Sequence, residues 1–465
     1  MCRPTLYCII KKIYHNFFCC FIFLGTIFFY SKSVFSQIVP EKSTGVIRVY
    51  FTNPVDTTIS SMANGVYNPE MEDTIITYIN KAQATLDMCV YDNRSNAIIN
   101  AVNQAYSRGV IVRFISETTS LNYSLANLNA SVPLLKRIDG TQIMHNKFVI
   151  IDRENENNAW LITGSANHTP DNLTVDPNNV VFIQDKALAQ AYTAEFEEMW
   201  GTSGNTPDIS NSKFGSSKTD NTPHTFIIGG KNVELYFSPT DGTSAHIEQA
   251  INSAGTDFSF AMFTFIHNGI GDAVVAAHNT GVEVKGIIEN ISYLGSEYPS
   301  LIAASIPVLS HENIPNSFHH KYAVADATDP ASDPLVITGS HNWTNSAEED
   351  NDENTLIIHD GVVAAMYYEE FVSRYNEIFS GISTPKNLTP NIYYNTPNNI
   401  LVIGGLRAGD LKNVEVYNQS GSVIFKIQFM QGEKIIPLQG LPRGVYVARF
   451  YNEENCFSVK FAKIQ

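Results

Sequence analysis

The chain has 465 residues, 44% of them apolar, with 30 Lys+Arg against 46 Asp+Glu and a formal charge of −16. That length suggests about three domains or one large domain with extras, and the apolar fraction excludes collagen-like and disordered classes. So acidic a chain is ill suited to gripping nucleic acid non-specifically, because that grip rests on Lys and Arg neutralising phosphates. A small basic pocket inside an acidic shell stays open.

At the start of the chain, Arg3, Lys11 and Lys12 precede an apolar run from Phe17 to Tyr30, and small residues lead out to Ser36. A positive start, a short apolar core and a small-residue exit read as a secretory signal peptide over residues 1–36. The run is shorter than the roughly 20 residues that span a bilayer. Its removal would take four basic residues and no acidic ones, deepening the charge from −16 to −20. It would also take Cys2, Cys8, Cys19 and Cys20, leaving only Cys89 and Cys456. Two distant cysteines make no disulfide scaffold, and no Cys/His cluster suggests a metal or other cofactor.

From about residue 38 the chain repeats itself. Val49-Tyr-Phe-Thr-Asn-Pro54 is matched by Leu235-Tyr-Phe-Ser-Pro239, each a strand entering a Pro-containing loop. Met71–Lys81 and Ala245–Ser253 carry helical spacing of apolar residues. Leu86–Tyr91 and Phe258–Phe263 read as strands, Ala97–Arg108 and Ile270–Thr280 as helices closed by Gly109 and Gly281, and Val110–Ile115 and Val282–Ile287 as strands. The offset holds at 172 from Tyr91/Phe263 through Gly109/Gly281. Strands alternating with helices predict an α/β fold with a mainly parallel sheet, in two units over 38–205 and 225–380. Residues 202–224, rich in Ser, Thr, Asn and Gly, read as the connector.

The chemistry follows. The first unit has His145-Asn-Lys147-Phe-Val-Ile-Ile-Asp152 and then Thr163-Gly-Ser165-Ala-Asn167; the second has His319-His-Lys321-Tyr-Ala-Val-Ala-Asp326 and then Thr338-Gly-Ser340-His-Asn342. On a strand, residues two apart share a face, so each His projects with its Lys. Two such units face to face would place two imidazoles and two ammonium groups around one anion, with Ser165, Asn167, Ser340 and Asn342 as neutral donors. That set suits a phosphodiester. One imidazole attacks phosphorus, the other moves protons, and the lysines and amides stabilise the phosphoryl oxygens without a metal.

The paired His-x-Lys-x4-Asp motifs with trailing Gly-Ser-x-Asn resemble those of the phospholipase D superfamily, over about residues 45–380. The resemblance implies two pseudo-symmetric α-β-α repeats packed as one catalytic unit, a monomer with an internal pseudo-dimer. It implies a metal-independent phosphodiesterase or transphosphatidylase with a phosphohistidine intermediate, and His145, Lys147, Asp152, His319, Lys321 and Asp326 as the catalytic set. It assigns attack to His145 and acid/base work to His319. For Asp152 and Asp326 themselves, capping turns or tying down backbone is the preferred reading. Some relatives carry a carboxylate after Gly-Ser-x-Asn that orients a His. Here the second repeat has Glu353 where the first has Asn178. If pairing crosses between repeats, Glu353 serves His145; if it stays within a repeat, the assignment reverses. His320 is expected in packing or at the surface. His168, His341 and Trp343 either line the pocket or serve ordinary loops, and His311 is a weak candidate for the mouth. Glu348–Glu353 reads as a solvated acidic loop containing one useful Glu, since calcium-loop spacing is lacking.

From about Ser383 the composition shifts. Thr384–Pro390 and Asn395–Asn399 read as a Pro/Asn-rich linker, and short β-patterned runs at Leu401, Val414–Tyr417, Val423–Gln428, Ile435–Leu438, Gly444–Phe450 and Phe457–Lys463 predict a small β-sandwich over 390–465. The sequence Val-Tyr-Asn-Gln-Ser-Gly, the later Leu-Pro-Arg-Gly-Val-Tyr-Val and the terminal Lys-rich strand resemble the C-terminal sorting domain of the type IX secretion system. That resemblance implies export through this machinery, with the tail removed or used for anchoring. Export and acidity favour a phospholipid head group as substrate; a nuclease, disfavoured for want of a Lys/Arg run, and a non-catalytic binding protein are the rivals.

Overall fold

The structure, a computed structural model, describes residues 45–60, 62–137 and 142–380, and in the tail 391–395, 400–404, 413–418, 422–428, 435–437, 441–451 and 456–463. The signal-peptide segment and the linker at 384–390 lie outside the described residues. Among the described residues, no helix is long and apolar enough to cross a membrane.

The first repeat runs β1 (Val46–Phe51), α1 (Met71–Asn80), β2 (Thr85–Val90), α2 (Asn96–Ser107), β3 (Ile111–Glu117), β4 (Leu134–Arg137), β5 (Lys147–Ile151), β6 (Trp160–Gly164), α3 (Pro170–Thr174), β7 (Asn179–Gln184) and α4 (Lys186–Trp200). The second runs β8 (Thr225–Ile228), β9 (Lys231–Ser238), α5 (Thr243–Asn252), β10 (Asp257–Met262), α6 (Asn268–Asn279), β11 (Glu283–Ile288), α7 (Tyr298–Ala303), β12 (Val308–Ser310), β13 (Lys321–Ala325), β14 (Leu335–Gly339), α8 (Asn345–Glu349), β15 (Glu353–His359) and α9 (Gly361–Ser380). Local chemistry sets the boundaries. The Ser95 and Asp185 side chains accept from Ile98 N and Leu188 N, starting α2 and α4. Gly109 and Gly281, with φ of 91° and 99°, turn the chain out of α2 and α6 as the sequence predicts.

Each repeat builds one sheet, ordered β1-β7-β6-β5-β2-β3-β4 and β12-β11-β10-β13-β14-β15-β9-β8. The expected mainly parallel sheet is corrected: only β2-β3-β4 and β10-β11-β12 run parallel, and every other pairing is antiparallel. The helices α1, α2, α5 and α6 provide crossovers early in each repeat. After the motif strand, the returns are loops holding at most one short helix, and loops of that kind join antiparallel neighbours.

One core cluster belongs to both repeats. Phe148, Tyr192, Phe196 and Trp200 from the first are continuous with Phe237, Tyr322, Tyr367 and Phe371 from the second. The repeats are therefore one unit, and each outer layer has its own second core. The connector is more than a spacer. Buried Lys218 pairs with Glu195 and Asp352, and Gly215 N donates to Asp352 Oδ1 at 2.7 Å. Cys89 is a buried free thiol whose pKa burial pushes well up.

The tail carries β16 (Asn391–Asn395), β17 (Ile400–Gly404), β18 (Asn413–Tyr417), β19 (Val423–Gln428), β20 (Ile435–Pro437), β21 (Gly444–Tyr451) and β22 (Cys456–Lys463), in antiparallel sheets of three and four strands. The strand β16 was not anticipated; it falls between the two Pro/Asn-rich pieces of the expected linker.

Candidate active site

Register brings the two motifs to the same end of their sheets. Val90 pairs with Lys147 and Met262 with Lys321, so the carboxyl end of β2 or β10 adjoins the amino end of the motif strand. His145 and His319 stand just before those strands, each nearly buried. Lys147 Nζ donates to His145 O at 2.6 Å and Lys321 Nζ to His319 O at 2.8 Å. Each lysine thus curls back beside its histidine.

Cross-pairing decides the question that the sequence leaves open. His145 Nδ1 lies 2.7 Å from Glu353 Oε1 of the second repeat, and His319 Nδ1 lies 3.0 Å from Asn178 Oδ1 of the first. The backbone repeats the crossing: His145 N donates to Asp352 O and His319 N to Pro177 O, each at 3.0 Å. A buried polar seam continues it. Asn354 Nδ2 donates to Asn146 Oδ1, Tyr192 and Tyr367 hydroxyls donate to Asn354 and Asn179, and Asn179 meets His320.

Ser165 and Ser340, expected to bind phosphate, face the other way. Ser340 Oγ donates to Glu353 Oε2 at 2.6 Å and accepts from Asn354 N; Ser165 Oγ donates to Asn178 Oδ1 at 2.8 Å and accepts from Asn179 N. The hydroxyls hold the groups that hold the histidines. The preceding glycines explain the fit. At Gly164 and Gly339, with φ of 143° and 146°, an added Cβ would lie 2.4 and 2.1 Å from the carbonyls of Asn179 and Asn354. Asn167 and Asn342 follow two residues after Ser165 and Ser340, and their amide oxygens are buried without a partner.

Asp152 and Asp326 lie five residues beyond the lysines, roughly 16 Å along the strand, at its far end. Asp152 accepts from Gln83, Ala84 and Thr85 N, and Asp326 from Gly255, Thr256 and Asp257 N. Both take left-handed φ, 49° and 53°. They anchor backbone and do not reach the histidines, so the catalytic listing implied by the motif is corrected for both.

The acidic stretch is solvated at its start, where Glu349 is exposed, and buried at its end, where Glu353 serves His145. Asp352 and Glu353 are fully buried, Asp352 pairing with Arg137 and Lys218. His320 is fully buried, 3.1 Å from Glu370, and not at the surface. His168, His341 and Trp343 are also buried. His311 pairs with Glu289 at 2.7 Å.

Two groups went unread in the sequence. Glu117 and Glu289, at or just after the ends of β3 and β11, accept from the amide just before each histidine: Met144 N to Glu117 Oε2 at 2.7 Å and Phe318 N to Glu289 Oε2 at 2.9 Å. Tyr91 and Phe263 each set a ring 4.9 Å from a histidine, with the lysine ammonium 5.2 and 4.7 Å from the ring centre. The 172-residue offset links both pairs, and that regularity was the signal available for finding them.

Electrostatics follow from burial of four basic groups together. Burial, reinforced by Lys147 and Lys321 and opposed by Glu353, brings His145 down to about 4. Burial, with Lys321, Lys147 and His145, holds His319 well below its ordinary value. Burial lowers Lys147 to about 7, against Glu353 and Asp92, and puts Lys321 well below its usual range. Burial alone would raise the Glu353 carboxyl; His145 and Lys147 outweigh it and hold the group below its ordinary value. An ionised Glu353 only accepts, so His145 Nδ1 carries the proton and Nε2 keeps its lone pair. An anion entering between the lysines restores the charge balance that burial opposes.

Among the described residues, metal-ligating spacing occurs at Asp220, His224 and Asp241. Their own partners occupy them: His224 meets Leu235 O and Asp220, and Asp241 accepts from Phe237 N.

The family profile described as cardiolipin synthase, PLD-like domain matches residues 75–200 and 247–380. The chain belongs to this PLD-like family. It is 33% identical over 140 residues to the mitochondrial cardiolipin hydrolase of Xenopus tropicalis, covering 30% of this chain and 63% of that protein. It is 29% identical over 149 residues to a phospholipase D of Rickettsia typhi, covering 32% and 70%. The chain thus spans under two thirds of the cardiolipin hydrolases it matches. Among solved structures, Nuc, a phospholipase D family member from Salmonella typhimurium, aligns with TM-score 0.28 and 29% identity over 31% of this chain and 95% of its own. The phosphatidylserine synthase of Haemophilus influenzae aligns with TM-score 0.47 and 13% identity over 67% and 84%.

Proposed function

We propose that this PLD-like protein is an exported phosphodiesterase that hydrolyses phospholipid head groups through a covalent phosphohistidine on His145. The observation carrying this reading is the crossed pairing of His145 with Glu353 and of His319 with Asn178. A carboxylate behind an imidazole raises its basicity and stabilises the cation formed on attack. Once the phosphodiester anion sits between the lysines it favours the imidazolium, and His319 takes up a proton on Nε2; His145 Nε2 then attacks phosphorus, the bond to the head-group oxygen breaks, and His319 gives that Nε2 proton to the departing alcohol. Water then loses a proton to His319 and attacks phosphorus, the P–N bond breaks, and phosphatidate leaves. His319, backed by a neutral amide and ringed by cations, is the weaker base and the readier acid. Lys147 and Lys321 supply the positive charge that the phosphoryl oxygens meet. Export rests on the N-terminal pattern, with the tail addressing the type IX machinery, and the names of similar cardiolipin hydrolases and phospholipases D support the lipid assignment.

The test assays the full chain, with and without EDTA, on phosphatidylcholine, phosphatidylethanolamine, plasmid DNA and bis-p-nitrophenyl phosphate. Head-group release insensitive to EDTA is expected. DNA cleavage without lipid turnover overturns the lipid assignment, and loss of activity in EDTA overturns the metal-free mechanism.

A further inference from the structure

The loops that follow β3 and β11 leave the sheets at the same end as the histidines, because β2 and β3 run parallel with Val90 opposite Ser116, and β10 and β11 with Met262 opposite Ile288. Both loops display large apolar groups. Leu121 is 73% exposed, Tyr123 53%, Tyr293 53% and Leu294 100%. Residues 118–133 hold no charged side chain, nor do 290–296, in a chain where 16% of residues are charged. Elsewhere Ile209 and Ile227 stand singly, which is ordinary for a surface, and the adjacent pairs Val66–Tyr67 and Val423–Ile424 are less exposed, at 40–44% each.

The first loop is held rather than loose. Asn122, at φ 41°, is buried between the two exposed residues. Its amide donates to Tyr91 O and Glu117 O and accepts from Asn93 N. This knot projects Leu121 and Tyr123 outward and ties them to the strand end carrying Tyr91. In the second loop, Ser292 N donates to Glu312 and Asn290 Nδ2 to Thr264 Oγ1.

We propose that these two pseudo-equivalent loops dock the active-site end on a lipid surface, seating Leu121, Tyr123, Tyr293 and Leu294 at the level of the head groups. This rests on the lipid reading above. Tyr and Leu on segments that carry no charge of their own suit that layer, where an aromatic ring sits at the boundary and an aliphatic side chain enters it. The formal charge of −16 selects a zwitterionic surface over an anionic one. A protein partner is the alternative occupant.

The three native tryptophans, Trp160, Trp200 and Trp343, are all buried, so Leu294→Trp places a single exposed indole at the tip. The parent and every variant carry the same N-terminal segment. With phosphatidylcholine vesicles, the new indole should shift to the blue and be quenched by brominated lipid, relative to the parent. Replacing all four residues with Ser should lower turnover of vesicle lipid at least ~10-fold, because the apolar area that would enter the lipid is lost. Turnover of dihexanoyl-phosphatidylcholine as monomers should stay unchanged. An unquenched indole together with unchanged vesicle turnover overturns the docking surface, leaving head-group cleavage intact. Docking without cleavage of the monomeric lipid overturns the head-group reading instead.

Discussion

The two half-sites share a backbone plan and differ in the group behind the histidine. Each has its lysine folded onto the histidine carbonyl, a ring beside the imidazole, a buried glutamate under the preceding amide and a serine locking the orienting side chain. That side chain is a carboxylate behind His145 and an amide behind His319. The duplicated scaffold thus supplies symmetry of position, and on the mechanism proposed above one difference, Asn178 against Glu353, divides the chemical labour. Because the pairing crosses, neither repeat owns a complete half-reaction.

The largest effect should come from removing the histidines one at a time. His145→Ala should abolish head-group release, at least ~10³-fold, and leave no phosphorylated enzyme on acid quench. His319→Ala should be comparably slow while a phosphohistidine remains detectable by mass spectrometry. An adduct found in the first variant and not in the second reverses the roles.

Glu353→Gln tests the asymmetry itself. Turnover should fall roughly 10–100-fold, as when an orienting partner of a reactive histidine is lost. Glu353 raises the His145 pKa, so its removal should move the acid limb of the pH–rate profile to lower pH. Glu353→Asp should recover part of the rate. Asn178→Asp should cost much less than Glu353→Gln, and equal losses would mean that the two half-sites do not differ in kind.

Much of this plan was legible in sequence, and the gaps have physical causes. The motifs, their offset and the early helices could be read, because they rest on local periodicity and spacing; whether the histidines pair within or across the repeats could not, because that depends on how the two sheets meet. The sheet order could not, because direction after the motif strand depends on which neighbour a short loop can reach. Ser165 and Ser340 were read as ligands of phosphate because a hydroxyl beside a cation suits an anion; their direction follows from register with Asn179 and Asn354. Glu117 and Glu289 sit among apolar strand residues, where nothing local marks a carboxylate as the anchor of a distant amide.

The aspartates give the comparison a control in which the repeats should behave alike. Asp152→Ala and Asp326→Ala each leave several backbone N–H groups without their acceptor, at a cost of about 3 kcal/mol by denaturant unfolding. Turnover per folded molecule should stay near that of the parent. A large loss of kcat in fully folded protein would return these residues to the chemistry.

The smallest expected effect separates the repeats again. Where the second repeat has Trp343, the first has buried His168, whose Nδ1 lacks a partner and whose pKa burial lowers to about 4. Its folded-state value lies below the unfolded value of about 6.5. Between these two values the unfolded chain binds a proton that the folded chain refuses, so this group makes stability fall as pH falls through that window. At pH 5 the penalty is on the order of 2 kcal/mol, from 1.36 kcal/mol per unit. His168→Phe should therefore flatten the decline in unfolding free energy between pH 6.5 and pH 5 by about that amount, while the other histidines that burial lowers, His145, His319, His320 and His267, keep their share of the slope. An unaltered slope in the variant would mean that acid sensitivity belongs to the other buried histidines and not to this difference between the repeats.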